Sequence, residues 1–149
     1  MGSLSVPSEG LVYVDAQIVI YTVDRHPRYG PACMPLWSAA AANAVTVVSS
    51  ELTLLETLVG PMRAADAALE RDREGLWSRP NTLLLPVTRD VLREAARMRA
   101  AIPPLRAPDA IHAATAMLSG CGLFVTNDAV FRHIPGLPVA MLDDALAAP

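Results

Sequence analysis

The sequence has no lysine; all 12 basic residues are arginine. That absence removes whole classes of chemistry. A phosphate-binding P-loop needs the lysine of Gly-Lys-Ser/Thr, and a pyridoxal enzyme needs one for its Schiff base. The 8 glycines never fall as Gly-x-Gly-x-x-Gly, so a dinucleotide fold would have no phosphate turn. Cysteine is as scarce: Cys33 and Cys121 stand alone, with neither Cys-x-x-Cys nor Cys/His metal spacing. A reducing, cytoplasmic setting and no structural zinc are expected. Aromatic residues make up 5% of the chain, too few and too scattered for a series of base-stacking platforms. Long apolar runs are missing too. The richest region, Ala39 to Val59, is broken by Asn43, Ser49, Ser50, Glu51 and Glu56, so no membrane span is expected. Met1 to Gly10 lacks the cationic start and apolar core of a signal peptide, and Val6 stands where a myristoylation motif wants Ser or Thr.

What is present points to a packed domain. The 149 residues suit a single domain over 1–149, with its core in about residues 11–144. Apolar residues make up 52% and mean hydropathy is +0.33, which argues against disorder. A net charge of −3 argues against wholesale non-specific nucleic-acid binding but leaves room for a local basic groove.

Strand and helix signals alternate along the chain. Leu11–Val14 reads as a strand delivering Asp15, followed by a helix from Ala16 to Val23 and a second from Tyr29 to Ala42, disturbed by Pro35. Val45–Val48 is β-branched and reads as a strand. Ser49 or Ser50 then caps a helix from Glu51 to Val59, with Leu52, Leu55 and Val59 as its core stripe and Gly60-Pro61 as its end. Met62 to Trp77 reads as one longer charged helix, Leu83–Leu85 as a strand, and Thr88 as the cap of a helix to about Ile102. Pro108 and Asp109 suit the first turn of the next helix, which ends at Gly120 or Gly122. Leu123–Val125 and Val139–Leu142 read as strands, and Asp143–Ala148 as a short last helix. This alternation predicts an α/β fold with a mainly parallel sheet.

Four acids stand out by position. Asp15 and Asp128 each follow a strand, Asp109 opens a helix, and Glu56 lies about one and a half turns into another. In an open α/β sheet such places face the crevice beyond the carboxyl ends of the strands. A carboxylate there loses solvation and needs a partner, usually a cation. Converging carboxylates hold hard divalent ions, Mg²⁺ or Mn²⁺, which can activate water and stabilise the leaving oxygen of a phosphodiester. Taken singly, Asp109 is only a helix-start charge, Asp15 and Asp128 are caps, and Glu56 is a solvated helix residue. The pattern of all four favours the site.

The strand ending in Asp15, the block Ser49-Ser50-Glu51-Leu-Thr-Leu-Leu-Glu56, the block Pro108-Asp109-Ala-Ile-His-Ala-Ala-Thr115-Ala, and Val125-Thr126-Asn127-Asp128-Ala-Val-Phe131 together resemble the PIN-domain family. Within it they are similar to the VapC-type toxins of bacterial toxin–antitoxin pairs. The resemblance covers about Leu11 to Leu142. It implies a PIN-like three-layer sandwich with sheet order 3-2-1-4-5 and a Mg²⁺- or Mn²⁺-dependent endoribonuclease leaving 5′-phosphate and 3′-hydroxyl ends. It places the catalytic acids at Asp15, Glu56, Asp109 and Asp128. Asp15, Asp109 and Asp128 would hold the metal, while Glu56 orients the attacking water or completes the shell. It also implies a homodimer and a small VapB-like antitoxin that blocks the site. The chain departs from the family where Ala16-Gln17 and Val130 replace further polar or acidic positions, so one ion is expected rather than two. The same departures motivate an alternative: a non-catalytic PIN-like module that binds a protein partner or RNA.

Thr126, Asn127 and Arg106 are the substrate-contact candidates, Arg106 for phosphate. His112 lies one turn after Asp109, but no second histidine pairs with it and its helix must pack on the sheet, so a structural role is expected. Arg89, Arg93 and Arg97 repeat every fourth residue, but Asp90 and Glu94 interleave, as on a solvated face. Trp37 and Trp77 are expected in the core or at a dimer interface. Apolar helix faces around Leu36, Trp37, Leu52 and Leu55 are expected to form a groove for an amphipathic partner helix.

Overall fold

Leu11–Val14 forms β1, and its alternation sets the two faces of the molecule. In the computed structural model, which describes residues 2–149, Val12 and Val14 enter one apolar cluster and Tyr13 the other. The neighbouring strands repeat the division: Val47 and Val125 join the first cluster, Val48 and Phe124 the second. A sheet buried on both faces is what parallel pairing requires. All strand pairs are parallel, in the order β3-β2-β1-β4-β5, with β2 at Thr46–Ser50, β3 at Thr82–Leu85, β4 at Leu123–Thr126 and β5 at Val139–Met141.

Helices cover both faces. One cluster takes in α1 (Ala16–Val23), α2 (Tyr29–Ala41) and α7 (Leu142–Ala147); the other takes in α5 (Arg89–Ala101) and α6 (Ala107–Ser119). On α5, Val91, Ala95 and Met98 are buried while Arg89, Arg93 and Arg97 are exposed, and Arg97 pairs with Glu94 at 2.8 Å. The arginine repeat is therefore a solvated face. Gly120 ends α6 at φ +72°, a left-handed cap that glycine takes without a Cβ penalty.

Two helix boundaries differ from expectation. α3 runs Leu52–Arg63, straight through Gly60-Pro61. Pro61 has no N–H for the Thr57 carbonyl, but Arg73 Nη1 donates to that oxygen at 2.8 Å. The expected single helix from Met62 to Trp77 is broken at Ala65, which takes φ +53°. Asp66 then caps α4 (Ala67–Gly75) by accepting from the Leu69 N–H at 3.0 Å, and a 3₁₀ turn follows at Leu76–Ser78. Arg73 thereby joins α4 to α3, and its Nη2 also donates to Asp24 Oδ2, at the end of α1, at 2.8 Å.

The apolar stripe of α3 also lies elsewhere. Thr53, Thr57, Leu58 and Pro61 are buried, while Leu55 and Val59 are 66% and 45% exposed. Leu36 and Trp37 are in the core, Trp37 donating to Thr22 Oγ1 at 2.8 Å, so they line no groove for a partner helix. Among the described residues no helix is long and apolar enough to cross a membrane.

Candidate active site

The sheet order places a switch point between β1 and β4: the chain moves outward from β1 to β2 and β3, then crosses back to β4. Ligands in open α/β sheets sit in the crevice beyond the strand ends at such a point. Asp15 follows β1 directly, and Asp128 comes two residues after β4. A cavity of about 540 Å³ opens there, lined by Asp15, Ala16, Gln17, Tyr21, Glu56, Arg106, Asp109, His112, Asn127, Asp128, Ala129 and Phe131. All four acids singled out from the sequence thus face one space. Three come from the starts of helical segments, and Glu56 reaches in from the middle of α3.

Each carboxylate is held by the local fold. Asp15 is the N-cap of α1, its Oδ1 accepting the Ile18 N–H at 3.3 Å, while its Oδ2 accepts from Thr126 Oγ1 at 2.5 Å. Capping and site membership are therefore one placement. Burial pushes the Asp15 carboxyl up to about 6; the Thr126 hydrogen bond opposes the rise, and nearby Asp128 adds to it. Asp109 is also shifted upward, first by burial, with Arg106 opposing and Asp128 reinforcing. Its contact with Arg106 Nε is long, at 3.4 Å, and that arginine side chain is 76% exposed. Asp128 Oδ1 accepts the Val130 N–H at 3.0 Å.

The substrate-contact candidates separate. Arg106 and Asn127 line the cavity, and Asn127 Oδ1 also accepts the Asp143 N–H at 3.1 Å. Thr126 is fully buried and ties Asp15 to Asp128, accepting the Asp128 N–H at 3.0 Å, so it supports the acids from below. Of the loop arginines, Arg28 pairs with Asp143 at 3.5 Å, and Arg25 lines a separate hollow with Arg71 and Arg79.

His112 is buried, as a structural histidine would be, yet it also reaches the cavity. Position i+3 from Asp109 puts it on the same face of α6, and that face meets the cavity rather than plain core. Its Nε2 lies 2.5 Å from Glu56 Oε1 and its Nδ1 2.7 Å from Tyr13 Oη. The Asp-x-x-His spacing was the available signal. What it lacked was Tyr13, 99 positions away, waiting beneath the helix.

The donor set fits a hard divalent cation. Asp15, Asp109 and Asp128 are oxygen donors from three separate elements, and a carboxylate carries about four acceptor sites, of which the contacts above use only one or two. Among the described residues no three acidic, histidine or cysteine side chains stand in ready-made ligating geometry, so binding requires the acids to turn inward. The weak hold of Arg106 on Asp109 permits that.

The PIN-domain family model matches residues 12–137, and the chain belongs to that family. Among curated protein sequences, none matches it significantly. Solved structures share its fold. A chain in the structure of VapBC2 from Rickettsia felis bound to a DNA fragment from the promoter superposes with TM-score 0.71 at 17% identity, covering 88% of this chain and 98% of that one. VapC20 from Mycobacterium tuberculosis, a sarcin-ricin loop cleaving toxin, gives 0.67 at 16%, covering 81% and 92%. A chain of VapBC-5 from the same organism gives 0.55 at 25%, covering 91% and 98%.

Proposed function

We propose that this chain is a Mg²⁺- or Mn²⁺-dependent endoribonuclease acting as the toxin of a type II toxin–antitoxin pair. The observation that carries the reading is the convergence of Asp15, Glu56, Asp109 and Asp128 on one cavity at the switch point of the sheet. Family membership and the VapC-type structures that share the fold support it, as does the sarcin-ricin loop cleavage ascribed to one of them.

Asp15, Asp109 and Asp128 would hold the ion, and Glu56 stands opposite them. When bound, the ion would offset phosphate charge and make a nearby water more acidic. Glu56 orients that water and accepts its proton. The water oxygen attacks phosphorus in line, the bond from phosphorus to the 3′ oxygen breaks, that oxygen takes a proton from solvent as it leaves, and the products end in 5′-phosphate and 3′-hydroxyl. Arg106 and Asn127 contact the RNA, Arg106 through a phosphate oxygen. Ala16 puts only a methyl group on the cavity wall, which fits a single ion.

An antitoxin and a second copy of the chain are the proposed partners, the antitoxin supported by neighbours drawn from VapBC complexes. The acidic cavity suits a partner's arginine by bidentate pairing. Leu55, Val59 and Met62, exposed at helical spacing on α3, form an apolar strip suited to self-association.

The test is cleavage of a structured-RNA panel in Mn²⁺ by the wild type and by Asp15→Asn. Mapped 5′ ends that disappear in the variant support the reading. Equal products from both proteins place any cleavage elsewhere and leave the second reading, a PIN-like module that binds RNA or protein without cutting.

A further inference from the structure

A chain of three hydrogen bonds runs beneath the acidic cavity and crosses four elements. The Ser50 N–H of β2 donates to Tyr13 Oη of β1 at 3.1 Å. Tyr13 Oη lies 2.7 Å from His112 Nδ1 on α6, and His112 Nε2 lies 2.5 Å from Glu56 Oε1 on α3. Tyr13 is fully buried, and the His112 side chain is 3% exposed.

The protons in this chain can be placed. A phenol keeps its proton at neutral pH. Its oxygen accepts from the Ser50 N–H, and Nδ1, at 2.7 Å, is in place to take the hydroxyl hydrogen. With Nδ1 as the acceptor, the ring N–H is on Nε2, facing Glu56. The imidazole is nearly buried, and its edge packs against the Tyr13 ring with centroids 5.9 Å apart and planes at 74°.

Glu56 is otherwise loosely placed. Its side chain is 30% exposed, and a glutamate on a helix surface samples several rotamers. We propose that His112 is a positioning residue for this site: its Nε2–H fixes one oxygen of Glu56 and leaves the other toward the cavity, and Tyr13 selects the tautomer that makes this possible. The inference rests on the nuclease reading of the cavity. It adds a second tier to the acid set, acting through Glu56.

Two substitutions separate positioning from support. His112→Asn keeps an acceptor near the place of Nδ1 for Tyr13 but is too short to reach Glu56. His112→Gln keeps an N–H donor near the place of Nε2 for Glu56 but leaves the Tyr13 hydroxyl without its acceptor. The experiment measures kcat and KM for Mn²⁺-dependent RNA cleavage, with melting temperatures, for wild type, both variants, Glu56→Gln, and the double variant His112→Asn/Glu56→Gln. Expected is a fall in kcat of about 10- to 100-fold for His112→Asn, the size usual for a partner behind the first shell. Its KM and melting temperature should stay near wild type. His112→Gln should melt lower and keep most of its kcat, and the double variant should be no slower than Glu56→Gln alone. Activity that follows melting temperature across the set, or losses that multiply in the double variant, would overturn the proposal.

A second measurement needs no cleavage. Nitrogen magnetic resonance of the full chain labelled at histidine, metal-free, should show His112 with a protonated Nε2 and a bare Nδ1, the signal being assigned by its absence in His112→Asn. A proton on Nδ1, or on both nitrogens, overturns the tautomer on which the proposal depends. If wild type and Asp15→Asn give the same products, it is the nuclease reading that fails, and the spectrum alone then decides the His112 contact.

Discussion

Thr126 Oγ1 donates to Asp15 Oδ2 at 2.5 Å while accepting the Asp128 N–H at 3.0 Å, so one buried hydroxyl fixes the acids that follow β1 and β4. Thr126→Val keeps the shape and removes both bonds. It leaves a buried carboxylate oxygen and an N–H short of a partner, which costs about 1–3 kcal/mol. Thr126→Ser should recover most of that loss. Urea denaturation of the three proteins at neutral pH is the measurement. Equal midpoints for Val and Ser would show that the hydroxyl does not tie the two strand ends.

The Asp15 carboxyl sits near 6 because of burial, against an ordinary value near 4. Between these values the folded state binds more protons than the unfolded chain. Stability from this group is therefore complete only below the ordinary value, and is lost as pH rises from there through 6. The loss is roughly 3 kcal/mol when no cation is bound. Asp15→Asn does not titrate there. In EDTA, the wild type should fall relative to Asp15→Asn as pH goes from 4 to 7, read as the difference between their melting temperatures. A difference that stays flat over this range would show that Asp15 is ionised at ordinary acidity.

Much of this arrangement was legible in the sequence because the signals were local. A β-branched strand ending in an acid, a proline and an acid at a helix start, and a glycine at its end are each short-range rules, and β1, α6 and β4 follow them. The acids could be grouped because the parallel topology brings strand ends together. What stayed hidden depended on distant partners. The helix α3 continues through Pro61 because Arg73 takes the freed Thr57 carbonyl. Leu55 and Val59 of α3 point outward because threonines cover much of its inner face, Thr53 bonding to Ser49 at 2.7 Å and Thr57 to the Thr53 carbonyl at 2.7 Å. Periodicity marks an apolar stripe but does not say whether the core or a partner covers it.

Arg73 is the residue whose loss should be felt most outside the cavity. Its side chain is 10% exposed and joins α4 to the Thr57 carbonyl and to Asp24. Arg73→Ala strands a mostly buried carbonyl and an acid together, for which about 3 kcal/mol is expected. Arg73→Lys keeps the charge without the fork and should recover only part. Arg71→Ala, on the exposed side of α4, is the control and should change little. Denaturation midpoints decide it: an Arg73→Ala protein as stable as Arg71→Ala would mean that α3 tolerates Pro61 without help.

The metal and the folded state are linked through Asp109. Burial and neighbouring Asp128 raise its carboxyl, so at neutral pH the ionised form opposes the apo fold. Asp109→Asn keeps the shape, removes that charge, and gives up only a long contact with an exposed Arg106, a kind of pair worth little. The variant should therefore melt higher than wild type in EDTA. Divalent metal binds the assembled site and not the unfolded chain, so Mn²⁺ at a hundredfold over its dissociation constant should stabilise the wild type by about 2.7 kcal/mol. Asp109→Asn should lose most of that gain, and cleavage with it. Glu94→Gln, on the solvated face of α5 where Glu94 pairs with Arg97, should match wild type in both conditions. The comparison is a melting series of the three proteins in EDTA and in Mn²⁺. A destabilised Asp109→Asn whose Mn²⁺ response equals that of wild type would make Asp109 a helix-start charge and remove it from the site.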